Sequence, residues 1–176
     1  MFVNLTEVLL NEDRVVPMQV EAQISEVSVG GVRYPVCDMS PVCFVFTNTG
    51  KGRARIEAKA EFSFAAECDR CLKPLEVKIP LEFSRDVFAP DTAELSVYEE
   101  QPFMDGFQMN VEDLLNSEIV TDWPMKILCK PDCKGICPKC GRDLNTGTCK
   151  CETFVPDPRM AAIKDIFETF GTDKEV

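Results

Sequence analysis

The sequence predicts an α+β fold: an antiparallel β-sheet (a curved meander or partial barrel) with one helix, a C-terminal all-cysteine metal module and a closing helix. Three observations predict it. Apolar and polar residues alternate with a period of two through much of residues 13–88, as half-buried strands require. A later run from Asn110 carries apolar residues at helical spacing. Six cysteines then fall within residues 129–151, at the short separations that metal ligands use.

The elements follow in order. Thr6 is placed to cap a short helix over Glu7–Glu12. The stretch Val15–Ile24 alternates from Met18 onward, and Pro17 puts its start at a sheet edge. Gly30-Gly31 marks a turn before a short strand, Val32–Tyr34. Val42–Phe46 is β-rich, and Thr47–Gly52 reads as a hairpin connection. Ala54–Ala66 is the clearest strand: Ile56, Ala58, Ala60, Phe62 and Phe64 share one face, and charged residues occupy most of the other. Leu75–Val87 resumes the pattern through Val77, Ile79, Leu81 and Phe83. Pro90, Pro102 and Gly106 interrupt residues 89–108. Asn110 then caps a helix to about Thr121, with Val111, Leu114, Leu115, Ile119 and the stem of Glu118 toward the core, ended by Trp123-Pro124. Asp157-Pro158 opens the closing helix, whose stripe is Met160, Ile163, Ile166, Phe167 and Phe170, with Gly171 just beyond it. The expected division is a β-rich domain over 1–123 and a zinc module with its helix over 124–176.

Composition narrows the chemistry. The chain has 176 residues, 30 acids against 19 bases for a formal charge of −11, ten cysteines and no histidine. Without imidazole there is no Ser-His or Cys-His pair and no mixed Cys/His metal site. The acidity argues against a uniformly basic nucleic-acid coat. Hydrophobic residues make up 45 % of the chain, enough for a core and too many for a disordered acidic tail. The opening MFVNLTEVLLNEDR lacks a basic n-region and a cleavage site, and no run approaches the roughly 18 apolar residues of a membrane span. A cytoplasmic protein is expected, without a membrane partner. Its thiols stay reduced, which favours metal binding or redox work over disulfides.

Eight cysteines form four pairs: Cys68-Asp-Arg-Cys71, Cys129-Lys-Pro-Asp-Cys133, Cys137-Pro-Lys-Cys140-Gly and Cys149-Lys-Cys151. Thiolates two to four residues apart reach one tetrahedral zinc at about 2.3 Å. Pro138 stiffens the third pair's turn, and Gly141 permits a positive φ after its second ligand. Eight residues separate Cys140 from Cys149, with Asn145 and Gly147 as turn formers, so one zinc on Cys137, Cys140, Cys149 and Cys151 is sterically easy. Cys68, Cys71, Cys129 and Cys133 make a second zinc site if the sheet brings them together, joining the β-domain to the C-terminal module. The alternatives are a trade of Cys129 or Cys133 with the other site, or a redox pair at Cys68/Cys71. A redox pair of the thioredoxin kind needs a βαβ setting, whereas this pair lies between two strand patterns. An all-cysteine zinc site ordinarily contributes folding free energy and no chemistry. Two such sites would take the folded chain from −11 to roughly −15. Cys37 has no partner spacing, and Cys43, inside an apolar run, reads as a small buried hydrophobe.

Charge is uneven. From Asp86 to Glu118 there are nine acids and no base. Residues 124–151 carry Lys126, Lys130, Lys134, Lys139, Arg142 and Lys150 against Asp132 and Asp143, a net +4. These bases either contact phosphate or balance thiolate charge around zinc. Lys51, Arg53, Arg55 and Lys59 form a second basic group. No aromatic residues interleave with either, so a base-stacking platform is not supported. No paired carboxylates, nucleophile motif or phosphate loop marks an active site, and a non-enzymatic protein is expected.

The run CDRCL at Cys68–Leu72, the segment WPMKILCKPDCKGICPKCGRDLNTGTCKC, the following Asp157-Pro158-Arg159 and the opening NLTEVLL together resemble the YceD family of bacterial large ribosomal RNA subunit accumulation proteins, in a cysteine-rich form. Other members keep the CxRC pair and lack the second cluster, so the resemblance implies that the shared role does not need it. The resemblance implies a non-enzymatic factor supporting large-subunit ribosomal RNA accumulation or processing in ribosome assembly, with precursor RNA or a ribosomal protein as partner. It gives Cys68 and Cys71 as the family's pair and Cys129–Cys151 as its metal cluster, and assigns no catalytic residue. The alternative function is a thiol- or metal-responsive regulator working through Cys68/Cys71.

Overall fold

The computed structural model describes residues 1–90 and 101–151; the closing helix expected over Asp157–Phe170 lies outside them. The chain divides into two compact units, one of Met1–Asp69 with Lys73–Cys129, the other of Arg70–Leu72 with the chain from Lys130 onward.

The first unit is built on β6 (Arg53–Glu67). It pairs along its whole length with β7 (Pro74–Phe88), from Arg53↔Phe88 to Glu67↔Pro74. Its other side is shared: β5 (Val42–Gly50) takes Arg53–Lys59, and β4 (Val32–Met39) takes Phe62–Phe64 across a register shift at Val36/Asp38. Outside these lie β2 (Val15–Val20) against β5 and β3 (Glu26–Val29) against β4. Every pairing is antiparallel, and the sheet of the described residues is open, with an α+β architecture overall. Proline marks two outer strands: Pro17 in β2 and Pro80 in β7, where a missing N–H costs no ladder bond.

Alternation sets the core. Ala54, Ile56, Ala58, Phe62 and Phe64 of β6 are buried, and Phe44 and Phe46 of β5 join them. Those two rings stack with centroids 5.5 Å apart. Full burial of each such side chain is worth about 1.5–3 kcal/mol. On the opposite face Arg55 meets its register partner Asp86 at 2.9 Å and Lys59 meets Glu82 at 2.6 Å. The hydrogen bond from Arg55 holds the Asp86 carboxyl below its ordinary range. Such exposed pairs favour the register more than they stabilise the fold.

A second, small sheet joins β1 (Phe2–Asn4), β9 (Gln108–Asn110) and β8 (Met104–Asp105) in the order β1-β9-β8. Its two- and three-residue strands carry no readable alternation. Between β1 and β2 lies α1 (Thr6–Leu10). Thr6 is inside this helix, not its cap: Leu5 holds the cap position, and the Asn4 side chain accepts from the Thr6 N–H at 2.8 Å. The helix α2 (Val111–Thr121) starts as expected, with the Asn110 side chain accepting from the Glu112 and Asp113 amides. Its buried stripe is Val111, Leu114, Leu115, Glu118 and Ile119. Glu118 is only 5 % exposed, and Arg85 of β7 meets its carboxylate at 2.5 Å. No helix of the described residues is long and apolar enough to cross a membrane.

Cys43 corrects an expectation. It is exposed, because Val42, Phe44 and Phe46 take the inner face of β5 and a period of two leaves Cys43 on the outer one. The expected hairpin connection Thr47–Gly52 also shrinks, since β5 runs through Gly50.

The described part of the second unit has no helix and no named strand, only turns and one bridge, Ile136↔Asp143. Its buried residues include Cys133 and Cys137. With so little apolar surface, this segment has small hydrophobic stabilisation of its own.

Candidate metal centre

Two groups of four cysteines could each hold a metal ion: Cys68, Cys71, Cys129 and Cys133 in the first, and Cys137, Cys140, Cys149 and Cys151 in the second. Within each group the four sulfurs all lie within 4.8 Å of one another. A tetrahedral zinc with bonds of about 2.3 Å separates its sulfurs by about 3.8 Å. The donor set, thiol only and without histidine, suits a closed tetrahedral site for a thiophilic metal such as zinc or iron.

Cys68 and Cys71 stand just past the β6–β7 ladder, whose last pair is Glu67↔Pro74. The Cys68 N–H donates to the Lys73 carbonyl at 2.9 Å, and Leu72 takes a positive φ of 58°. The second CxxC repeats this. The Cys137 N–H donates to the Arg142 carbonyl at 2.9 Å, and Gly141 has a φ of 70°. Both knuckles thus close from the first cysteine to the residue five positions on, with a left-handed residue after the second cysteine. The second is further tied by the Gly141 N–H on the Cys137 carbonyl at 2.8 Å.

The residues between Cys68 and Cys71 hold other segments. The Asp69 carboxylate accepts from the Ile127 N–H at 2.6 Å, while the Asp69 N–H donates to the Ile127 carbonyl at 2.8 Å. This secures the run two residues before Cys129. The Arg70 guanidinium donates to the Cys133 carbonyl at 2.7 Å, and the Arg70 carbonyl accepts from the Ile136 N–H at 3.1 Å. Gly135 fits there because it has φ 77° and because a Cβ would stand 2.8 Å from the Arg70 carbonyl oxygen. The Asn145 amide donates to the Cys133 sulfur at 3.4 Å, and its oxygen accepts from the Lys134 N–H at 2.9 Å. Asp69 and Arg70 carry no role in a spacing argument, and Asn145 reads only as a turn former; their partners lie too far along the chain for sequence to reveal.

Electrostatics in the second group favour a cation. The Cys140 and Lys139 amides donate to the Cys137 sulfur and lower that thiol to about 6, against the opposing effect of burial. Cys151 is pushed up to about 12, first by its hydrogen bond to Cys140 and then by burial and by the neighbouring sulfurs. Four crowded thiols cannot all ionise alone; a divalent ion offsets their charge and deprotonates each ligand.

The basic residues Lys126, Lys130, Lys134, Lys139, Arg142 and Lys150 are all exposed. Lys130 lies 3.8 Å from Asp132, and Arg142 donates to the Thr148 carbonyl at 3.0 Å. Cys37 and Cys43 are both exposed and belong to neither group.

The family model described as "Large ribosomal RNA subunit accumulation protein YceD" matches residues 56–167. The match starts within β6 and takes in all eight grouped cysteines, leaving NLTEVLL outside. Uncharacterized proteins of Mycobacterium tuberculosis and Mycobacterium bovis are 29 % identical over 77 residues, which is 43 % of this chain and 37 % of each relative. The chain thus spans little more than a third of the length of these curated relatives. No solved structure matches it.

Proposed function

The chain belongs to the YceD family of large ribosomal RNA subunit accumulation proteins, and on that premise we propose that it is a non-enzymatic, zinc-stabilised factor in large-subunit ribosome assembly. The observation that carries the metal part is the pair of four-thiol groups, each with its sulfurs within 4.8 Å. Cys68, Cys71, Cys129 and Cys133 hold one zinc and Cys137, Cys140, Cys149 and Cys151 the other. Zinc in an all-thiolate site fixes the backbone and leaves no open position for chemistry.

The partner is large-subunit precursor RNA, met through the phosphates by the exposed bases of the cysteine module, Lys130, Lys134, Lys139, Arg142 and Lys150, with Lys126 just before it. Phosphate contacts of this kind position a protein without reading sequence. A basic ribosomal protein drawn to the acidic residues between Asp86 and Glu118 is the second reading, and three of those acids already have partners within the chain. Asp86 is engaged by Arg55 and Glu118 by Arg85, while Glu112 meets the N-terminal amine.

Affinity capture of the protein from cells, with sequencing of bound RNA, tests the assignment. Enrichment of large-subunit precursor RNA that falls as salt is raised is the expected result. Recovery of ribosomal proteins with no RNA would shift the reading to a protein adaptor. Elemental analysis tests the metal part: two zinc ions per chain are expected. A chain with less than two and an oxidisable Cys68/Cys71 pair would favour the thiol-responsive alternative.

A further inference from the structure

Asn145 lies in the eight-residue run between Cys140 and Cys149 of the second group. Its amide nonetheless reaches a sulfur of the first group, Cys133, at 3.4 Å. The same side chain accepts from the Lys134 N–H at 2.9 Å, so it holds both the thiol and the backbone that follows it. Its own position is fixed locally: its backbone N–H donates to the Asp143 carboxylate at 2.8 Å, and Leu144 N–H donates to the Gly135 carbonyl at 2.9 Å.

We propose that Asn145 is a positioning residue for the Cys133 thiolate and that, through it, occupation of the second group tightens metal binding at the first; this rests on the metal reading of both groups. The N–H···S bond spreads charge from a thiolate and sets the direction of its lone pairs, as outer partners of metal ligands do. The run bearing Asn145 is closed at both ends by the second group's cysteine pairs. An ion there removes the entropy of ordering that run, so Asn145 meets Cys133 already in place. The coupling is reciprocal, as linkage requires.

Asn145→Asp separates this role from a purely structural one. Aspartate keeps an oxygen for the Lys134 N–H and loses the amide hydrogens that serve the Cys133 sulfur and, at 2.8 Å, the Asp143 carboxylate; it is compared with Asn145 in an Asp143→Asn background, so that no second carboxylate opposes the new one. Apo full-length protein, reduced and titrated with buffered zinc, is pulsed with an alkylating reagent, and peptide mass spectrometry reads each cysteine. Wild type takes up two ions. In Asn145→Asp, protection of Cys68, Cys71, Cys129 and Cys133 requires about 10- to 100-fold more free zinc, while the second group's requirement is unchanged. Cys149→Ser, which removes a ligand from the second group, also weakens the first in wild type and does so less in an Asn145→Ala background. An unchanged first group in Asn145→Asp, an equal shift in both groups, or an undiminished Cys149→Ser effect in Asn145→Ala overturns the proposal with the metal reading intact. Fewer than two protected groups in wild type overturns the metal reading itself, and the proposal with it.

Discussion

The two CxxC knuckles share a backbone bond pattern and differ in what stands behind it. Both close from the first cysteine to the residue five positions on at 2.9 Å, and both place a left-handed residue after the second cysteine. Behind Cys68 and Cys71 stand two 15-residue strands in unbroken register. Behind Cys137 and Cys140, among the described residues, stands a single bridge, Ile136↔Asp143. The same loop can therefore be held by a sheet or by its ligands. On the metal reading, an ion at the first group would add to a structure with other means of support, and one at the second would supply most of the support of the described residues there.

Metal removal should expose that difference most strongly. Structural zinc sites carry apparent binding free energies of about 10–16 kcal/mol at neutral pH, far more than one bridge can replace. After chelation, hydrogen exchange should show protection lost at the Cys137 and Leu144 amides and retained along the β6–β7 ladder. Equal loss in both places would show that the sheet also depends on the ions.

The converse change acts on the sheet. Phe62→Ala removes a ring that is fully buried in the core of the first unit, at a cost of about 3–5 kcal/mol. Urea unfolding followed by tryptophan fluorescence should show that loss. The zinc requirement of Cys137, Cys140, Cys149 and Cys151 should stay as in wild type. A parallel loss of zinc affinity there would contradict local support of the second knuckle.

Sequence reading succeeded where the signal is periodic or local. Ala54–Ala66 announced β6 because Ile56, Phe62 and Phe64 alternate with charges, and Asn110 announced α2 because a cap bonds within its own helix. The β3 strand went unread, being four residues that find their partners only across the Gly30-Gly31 turn. The Val42–Phe46 run is apolar on both faces, so alternation alone could not say that Cys43 points outward. Glu118 was legible on the helix stripe, whereas the Arg85 that meets it comes from a strand 33 residues earlier. At the cysteine groups, spacing exposed the pairs and the two sets of four, but which side chains hold them depends on contacts such as Arg70 to Cys133, 63 positions apart.

Two glycines with similar φ sharpen the comparison on a smaller scale. Gly135 has φ 77° and lies against the Arg70 carbonyl, where a new Cβ would approach to 2.8 Å. Gly141 has φ 70° and nothing within 4 Å of its Cβ direction. Gly141→Ala should cost about 1 kcal/mol from backbone strain alone, and Gly135→Ala about 2 kcal/mol or more because strain and collision combine. Thermal unfolding of the zinc-loaded proteins checks the order. Equal costs would mean that the Arg70 contact yields without resistance.

The smallest effect tests the knuckles' matching left-handed positions directly. Leu72 is 57 % exposed, yet it holds the conformation that Gly141 holds in the other knuckle, with φ 58° against 70°. A non-glycine residue there carries about 1–2 kcal/mol of steric cost. Leu72→Gly relieves that cost but gives the unfolded chain more freedom, worth about 0.5–1 kcal/mol, and the exposed side chain surrenders little buried area. The expected net effect is a gain of about 0.5 kcal/mol. Gly141→Leu introduces the same strain into open space and should cost about 1 kcal/mol, as Gly141→Ala does. Equilibrium unfolding of both zinc-loaded variants reads the two signs. If Leu72→Gly destabilises, the side chain contributes packing that outweighs its strain, and the knuckles are alike in backbone only. If both signs hold, the leucine is a local cost that the 15-residue ladder behind it tolerates, whereas the knuckle with one bridge uses the residue that carries no such cost.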